Sequence, residues 1–369
     1  MKKKLLAVAV AGALTAPVAA FAQSSVTITG FFKGGYESLK YGNYNRLTGN
    51  ASQHGVVDDS SRVIFNVRED LGGGLAAIGQ VDMRFSIDMG ALAASGNNHV
   101  GLQSKSWGRI FVGRQDLHYF GRESDMTAKA SLRTDSISIL AFAGGGATAI
   151  AGATRTANVV HYTTPNWGGF SMVAAYSSSG SGGNDADIAS GVRKGSAWNL
   201  APVYAANNWT VGYSYWRSKP DAGGNTLATG DQRGDRLFGS YKFPMGLKIG
   251  LAWDKAKVKG ALNGTELSNR TAWSLPVSYT WGNHEIHAHF DKARNDKATV
   301  GDDAANMFAL AYVYNLSKRT SAALSYARIN NKAAANYTFF TSAALGLGAA
   351  GIVAGEDPRM WGLTVRHAF

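Results

Sequence analysis

The chain has 369 residues, among them 45 glycines and no cysteine, and its formal net charge is +12. Aromatic residues make up 11% of it, too many for a disordered or collagen-like chain, whereas charged residues at 17% fall below the roughly 25% of ordinary soluble domains. The absence of cysteine excludes disulfides, thiolate nucleophiles and Cys-ligated metal centres.

The N-terminal segment has the pattern of an export signal. Three lysines at positions 2–4 precede an apolar run that ends in an A-x-A motif at Ala20–Ala22. We therefore predict a signal peptide over 1–22 and a mature domain over 23–369. Cleavage would remove the three lysines and lower the net charge from +12 to +9.

Two later uncharged stretches, at 136–154 and 333–355, are about long enough to be membrane helices, which must cross ~30 Å of hydrocarbon. Glycines interrupt both stretches, and neither has the continuous Leu, Ile and Val content of a membrane helix. We therefore predict long loops in both places.

From Val26 onward, apolar and polar residues alternate over segments of about ten residues, which is typical of β-strands. In the segment 62–68, Val and Phe at odd positions share one face, and Arg62, Asn66 and Arg68 share the other. The same alternation recurs at 77–85, 209–215, 247–254 and 285–291. Each predicted strand therefore has one apolar and one polar face.

Seven short connections alternate with longer polar or glycine-rich segments. The short connections are Asp70–Gly74, Ser104–Gly108, Pro165–Gly168, Ala205–Asn208, Pro244–Gly246, Trp281–Asn283 and Ser317–Arg319. Two strands flank each of them, and terminal strands at Val26–Leu39 and Met360–Phe369 bring the predicted count to about sixteen. An even strand number, with short turns at one end and long loops at the other, is typical of outer-membrane barrels.

The predicted fold is therefore all-β, a transmembrane antiparallel β-barrel of about sixteen strands. A sheet in hydrocarbon must close on itself, because an open edge would leave backbone groups without hydrogen bonds. Side chains cannot fill a barrel of this width, so we expect a water-filled interior. The segment 115–153 would narrow that interior by folding inward as a constriction loop.

Several segments in register carry a resemblance to a known family. They are Ser25–Ile28, Glu69–Leu75, Val112–Gln115, Tyr162–Phe170, Leu316–Thr320 and the C-terminal Arg366–Phe369. Across essentially its whole mature length the chain resembles the general trimeric porins of Gram-negative bacteria, of the β-proteobacterial (neisserial) type. The resemblance implies an outer-membrane homotrimer of sixteen-stranded barrels, each an aqueous channel narrowed by its third loop, with no cofactor.

In such porins, acidic residues of the third loop face a basic wall. Arg62 and Arg155 fall where relatives place wall arginines, and both also point inward by parity. Parity alone adds Lys33, Arg68 and Arg84 to the expected pore-lining residues. The third loop supplies the acids Asp116, Glu123, Asp125 and Asp135. For each of these acids there are two interpretations: the residue contacts the pore, or it is solvated or paired within the protein.

The C-terminal residues Trp361, Leu363, Val365 and Phe369 share one face of the last predicted strand. They resemble the signal that the barrel-assembly machinery reads. They also fit a last strand that faces lipid, and the two roles are compatible.

Inward basic candidates outnumber inward acidic ones, which predicts passive diffusion of ions and small hydrophilic solutes with a preference for anions. A basic surface also fits anionic lipopolysaccharide, for which the loop residues Arg193 and Lys194 are candidates. Nucleic acid is not expected as a partner of an exported barrel.

Two other classes stay open as alternatives, an outer-membrane barrel acting as adhesin or scaffold and an outer-membrane hydrolase. The sequence has no P-loop lysine and no G-x-S-x-G serine elbow, so we expect no enzymatic activity. The histidines at 284–289 lack H-E-x-x-H spacing, and only His287 and His289 share a strand face, ~7 Å apart. We therefore predict no metal site.

Overall fold

The computed structural model describes residues 24–41, 52–118, 128–140, 155–178, 195–219, 230–260, 264–340 and 352–369. The predicted signal peptide at 1–22 lies outside these described residues, as do Glu123, Asp125, Arg193 and Lys194. The described part of the chain is built almost entirely from antiparallel strands in one sheet.

The strands, in chain order, are β1 (Ser25–Lys40), β2 (Ser52–Asp58), β3 (Arg62–Gly72), β4 (Leu75–Phe85), β5 (Leu92–Ala93), β6 (Asn98–Ser104), β7 (Gly108–Gln115), β8 (Thr156–Thr163), β9 (Phe170–Ser177), β10 (Ser196–Ala206), β11 (Trp209–Lys219), β12 (Gln232–Lys242), β13 (Leu247–Lys259), β14 (Glu266–Trp281), β15 (His284–Ala293), β16 (Ala305–Asn315), β17 (Thr320–Asn331) and β18 (Arg359–Ala368).

The strands form a closed barrel. β2 and β3 both pair with β1, along different halves of it, so they are two parts of one barrel strand broken at 59–61. β5 and β6 share β4 in the same way. The segments therefore make sixteen barrel strands, and β1 closes the barrel by pairing with β18, where Phe31 lies opposite Ala368. The predicted sixteen-stranded barrel is confirmed.

The two ends of the barrel differ. All seven predicted short turns connect neighbouring strands, such as 73–74 between β3 and β4 and 282–283 between β14 and β15. Longer segments connect strands at the other end, and the third of them, 116–155 between β7 and β8, is called the third loop below. Its described part contains two short 3-10 helices, Leu132–Thr134 and Ser136–Ser138. Within the ranges given above, no helix is long and apolar enough to cross a membrane.

The two faces of the wall follow the sequence alternation. On β16, Phe308, Leu310 and Tyr312 are exposed on the outer face, as an apolar surface in contact with hydrocarbon requires. The inner face of the same strand is not polar, however, because Ala309 and Ala311 are buried there. These alanines are buried because the third loop packs against this part of the wall. The alternation within the strand gives no sign of that packing.

Candidate functional site

Buried polar contacts hold the third loop against the inner wall. Lys33 lies on the inner face of β1, and its Nζ donates a hydrogen bond to the carbonyl of Ala130 at 3.1 Å. Glu37, on the same face, accepts hydrogen bonds from Nε of Arg133 and Oγ of Ser131. None of these five residues is more than 2% exposed, so this part of the loop lies inside the barrel.

Strands β15 and β16 supply a second set of anchors for the loop. Nε2 of His289 lies 2.6 Å from the carbonyl oxygen of Thr134. Lys129 forms an ion pair with Glu285, and its Nζ also donates to Oδ1 of Asn315 at 3.0 Å. Polar groups on three strands therefore contact a loop segment of only a few residues.

Apolar side chains attach the loop to two separate parts of the wall. Ile137 belongs to a buried cluster with Leu117 and Trp216 of β11. Leu140 belongs to a different buried cluster, which includes Ala309 and Ala311 of β16. The segment 137–140 therefore bridges two regions of the wall and crosses the interior between them.

His118 fixes the beginning of the loop. Its Nδ1 lies 2.6 Å from Oγ of Ser214 on β11. Burial, and secondly the charge of Arg236, hold the pKa of His118 well below its ordinary value, so its imidazole is neutral. A neutral imidazole is the form that suits a site without exposure to water.

An open cavity remains beside the loop. Its volume is about 250 Å³, and its lining comes from the broken barrel strand, from β4, from both ends and the middle of the third loop, and from the segment before β18. The lining residues are Asp58, Ser60, Arg62, Arg84, Asp116, Leu132, Arg155 and Phe340. The fold thus brings together three of the five predicted pore-lining residues and one of the four predicted loop acids.

The break between β2 and β3 positions two of these arginines. Ser60 has a φ of +73°, in the left-handed region. Its Oγ accepts hydrogen bonds from Arg62 at 2.6 Å and from Arg84 at 3.3 Å, and its carbonyl accepts a further one from Nε of Arg62 at 3.1 Å. Asp82 lies 3.6 Å from Arg62 and 3.3 Å from Arg84. Both guanidinium groups therefore have fixed positions.

A further arginine continues the basic wall. Two guanidinium groups lie over the ring of Phe31 on β1. The guanidinium carbon of Arg62 is 4.8 Å from the ring centroid, and that of Arg366 is 4.7 Å from it. Arg84 lies directly opposite Arg62 across the β3–β4 pair. Arg84, Arg62 and Arg366 thus form a row on the inner face, called the arginine row below.

Asp116 and Arg155 lie at the two ends of the third loop and meet at the cavity. Oδ1 of Asp116 accepts a hydrogen bond from the backbone N–H of Arg155 at 3.0 Å. The N–H of Asp116 in turn donates to Oδ1 of Asn97 at 2.9 Å. The carboxylate of Asp116 therefore closes the base of the loop as well as lining the cavity.

The other predicted residues lie elsewhere. Asp135 is fully buried and caps the second 3-10 helix, its Oδ1 accepting from the N–H of Ile137 at 2.9 Å. Arg68 lies on the exposed part of β3 near the short turns and donates to Gln103 at 3.4 Å. Lys33 is covered by the loop, as described above.

The predicted C-terminal residues lie on the outer face. Trp361, Leu363 and Val365 are each more than half exposed. The backbone of Phe369 exchanges two hydrogen bonds with Gly30, and its ring lies 5.4 Å from that of Phe32. The chain end therefore pairs with the first barrel strand.

Sequence reasoning missed three polar residues in or beside the cavity, as well as the apolar lining residues Leu132 and Phe340. Arg366 has the inward parity of β18, and that alternation could have identified it. Ser60 and Asp58 lie at an interruption of a strand, and no periodic signal marks them. Among the residues that the structure describes, no three His, Asp or Glu side chains are grouped to hold a metal ion.

Comparison with known proteins gives three findings. The model of the Gram-negative porin family matches residues 7–334. An outer membrane porin protein of Bordetella pertussis is 30% identical over 87% of this chain and 92% of its own length, and outer membrane porin protein 32 of Delftia acidovorans is 30% identical over 100% of both chains. The structure of an anion-selective porin from Comamonas acidovorans is 25% identical, covers 94% of this chain and 100% of its own, and has a TM-score of 0.75.

Proposed function

The chain belongs to the Gram-negative porin family, and from this membership we propose that it forms trimers of water-filled, anion-preferring channels in the outer membrane. Passive diffusion of ions and small hydrophilic solutes needs a wet path and fixed charges along it, and no chemical step. Family membership also makes this chain a channel protein rather than an enzyme or a scaffold.

The arginine-lined cavity carries the proposed anion preference. The side chains of Arg62 and Arg84 are 21% and 18% exposed, whereas that of the neighbouring Asp82 is only 3% exposed. An ion in the cavity therefore contacts the guanidinium groups while the carboxylate of Asp82 stays behind them. Asp58 and Asp116 also line the cavity, so three arginines face two carboxylates and the lining keeps a net positive charge. A relative whose structure is described as anion-selective supports the same sign of selectivity.

The inward acids are largely compensated by their neighbours. Glu37 pairs with Arg133, and Glu285 pairs with Lys129. In the proposed channel these pairs, together with Lys33, hold the constriction loop in place and do not face the permeating ion. Glu123 and Asp125 stay candidates for loop acids at the constriction on the strength of the resemblance alone.

Planar bilayer recording tests this proposal. The wild-type protein is expected to give large, stable conductance steps in groups of three and, in a gradient of KCl, a reversal potential whose sign corresponds to chloride permeating better than potassium. Raising the salt concentration should reduce the preference, because the Debye length falls from about 10 Å at 0.1 M to about 3 Å at 1 M. A clear cation preference would contradict the proposed role of the arginines.

The barrel-assembly machinery is a proposed partner through the C-terminal residue. Replacing Phe369 with Ala is expected to lower the amount of assembled barrel in cells about threefold and to leave refolding in detergent almost unchanged, because one aromatic contact is worth only ~1 kcal/mol. Quantitative immunoblotting of heat-modifiable barrel measures the first effect.

Phe85→Ala is the matched control, because the ring of Phe85 also lies 5.4 Å from that of Phe32. It removes a similar contact without touching the chain end. Equal assembly defects in the two variants would show that Phe369 contributes a packing contact and is not recognised by the assembly machinery.

A further inference from the structure

His289, on the inner face of β15, meets an oxygen atom at each of its two ring nitrogens. Nε2 lies 2.6 Å from the carbonyl oxygen of Thr134 in the third loop. Nδ1 lies 2.7 Å from Oδ2 of Asp291, which is two residues further along the same face of the strand. A backbone carbonyl has no proton to donate, and an ionised carboxylate has none either. The protons for both contacts must therefore come from elsewhere in the pair.

A neutral imidazole beside an ionised carboxylate cannot satisfy both contacts. It carries one N–H and one lone pair, so at one of the two positions its lone pair would face an oxygen lone pair. One additional proton removes the conflict. That proton can complete an imidazolium, or it can lie on Asp291 and be donated to Nδ1. In both arrangements Nε2 keeps its N–H directed at Thr134.

The two contacts lie out of reach of water. The side chains of His289 and Asp291 are 1% and 0% exposed, and Thr134 is fully buried. A buried donor or acceptor that loses its partner has no water to replace it, and such a loss is destabilising. The third loop therefore keeps this contact with the wall only while the pair holds the additional proton.

The groups that face the pair come from its own strand, from both neighbouring strands and from the third loop. Opposite His289 lie Pro276 of β14 and Ala309 of β16, and neither of them titrates. The polar and charged groups nearby are Ser274 of β14, Asp135 of the third loop and, on β15 itself, His287 with its partner Glu285. Two buried carboxylates thus stand beside one buried imidazole, so an additional proton lowers the net negative charge of this region.

The other anchors of the third loop do not depend on a proton in this way. Lys33 donates from an amine that has N–H groups whether or not it is charged, and the guanidinium of Arg133 is always protonated. His118 is neutral already, as described above. Among the anchors described above, the contact of His289 is therefore the one that a single proton makes or breaks.

We propose that His289 and Asp291 share one titratable proton, and that this proton positions the third loop so that the channel responds to pH. The inference rests on the proposed function, because the response is read as a current. The held loop binds one proton more than the released loop. The ratio of held to released loop therefore falls as the pH rises, by up to about tenfold for each pH unit above the transition.

Single-channel recording from about pH 5 to about pH 9, a range on both sides of the ordinary pKa of histidine, tests the inference. The wild type is expected to give quiet currents at the acidic end and, reversibly, more frequent partial closures as the pH rises. His289→Gln can donate an amide N–H to Thr134 at every pH and should stay quiet throughout. His289→Leu has no donor and should close partially at every pH.

His287→Gln is the matched control. It removes a titratable histidine from the same strand face and leaves the contact between His289 and Thr134 in place. We expect the pH response of the wild type in this variant. A response that was lost in His287→Gln and kept in His289→Gln would assign the titration to the wrong histidine and overturn the inference.

NMR spectroscopy of detergent-solubilised protein labelled at its histidine nitrogens gives a second readout, which needs no channel activity. The signals of His289 are assigned by their loss in His289→Gln. Nε2 should be protonated at low pH and should lose its proton, or its hydrogen bond to the loop, at the pH where the partial closures begin. Such a titration in a protein without conductance would contradict the proposed function and leave the shared proton standing. An Nε2 signal that stays constant over the whole range would overturn the inference.

Discussion

Replacing Arg62, Arg84 and Arg155 together with Gln is expected to lower the ratio of chloride to potassium permeability about tenfold at low salt. One fixed charge 7 Å from an ion in water contributes about 0.6 kcal/mol, so three charges, partly screened, contribute more than 1 kcal/mol. All three side chains line the same cavity of about 250 Å³. Reversal potentials in a KCl gradient measure the change directly.

Arg68→Gln is the control for this experiment. Arg68 also lies on β3, but it is on the exposed part near the short turns and away from the cavity. A much smaller change is expected, because an ion near Arg68 is surrounded by water. If Arg68→Gln changed the permeability ratio as much as the triple variant, selectivity would depend on the net charge of the channel and not on the arginine-lined cavity.

Replacing Glu37 with Leu is expected to release the third loop from the wall. Arg133 would then be a buried cation without its carboxylate, and removing one partner of a buried pair costs about 3–5 kcal/mol. Arg133 belongs to the described part of the loop that contacts β1, so we expect this part of the loop to leave the wall. We expect noisy single-channel currents with frequent partial closures, together with a lower urea midpoint of unfolding in lipid vesicles.

Two further variants separate this effect from a general loss of charge. Glu37→Leu combined with Arg133→Met replaces the pair by apolar side chains and should restore quiet currents, since no unpaired charge is left. Lys129→Gln breaks the partly exposed pair with Glu285 and should cost below about 1 kcal/mol. Quiet currents in Glu37→Leu itself would show that the pair does not hold the loop.

Much of the barrel could be predicted from the sequence, because its strands are long and alternate without interruption. Parity places Arg62 and Arg84 on the inner face, and in the structure both lie close to Asp82, which has the same parity. The turn at 70–74 was predictable for a local reason. Gly72, Gly73 and Gly74 all have positive φ, which glycine adopts without strain.

The interior could not be predicted in the same way, because its arrangement depends on which loop meets which strand. Ala309 has inward parity, and the rule that inner faces are polar is wrong there because Leu140 packs in the same cluster. Asp135 and Arg68 both carry a charge, as predicted residues of a channel wall should. Asp135, however, is buried away from water, and Arg68 lies outside the cavity. Charge and parity define a set of candidates, and tertiary contacts select from it.

The interruption of the barrel wall at Ser60 has a kinetic consequence. An arginine side chain loses as much as ~2 kcal/mol of rotamer freedom when it is immobilised. For Arg62 and Arg84 that ordering is complete once the hydrogen bonds to Ser60 have formed, before any ion arrives. The wall therefore does not close around each anion and reopen to release it. Attraction without such rearrangement adds no conformational step to the entry or the exit of an anion, so charge and diffusion alone set the rate of passage in the proposed channel.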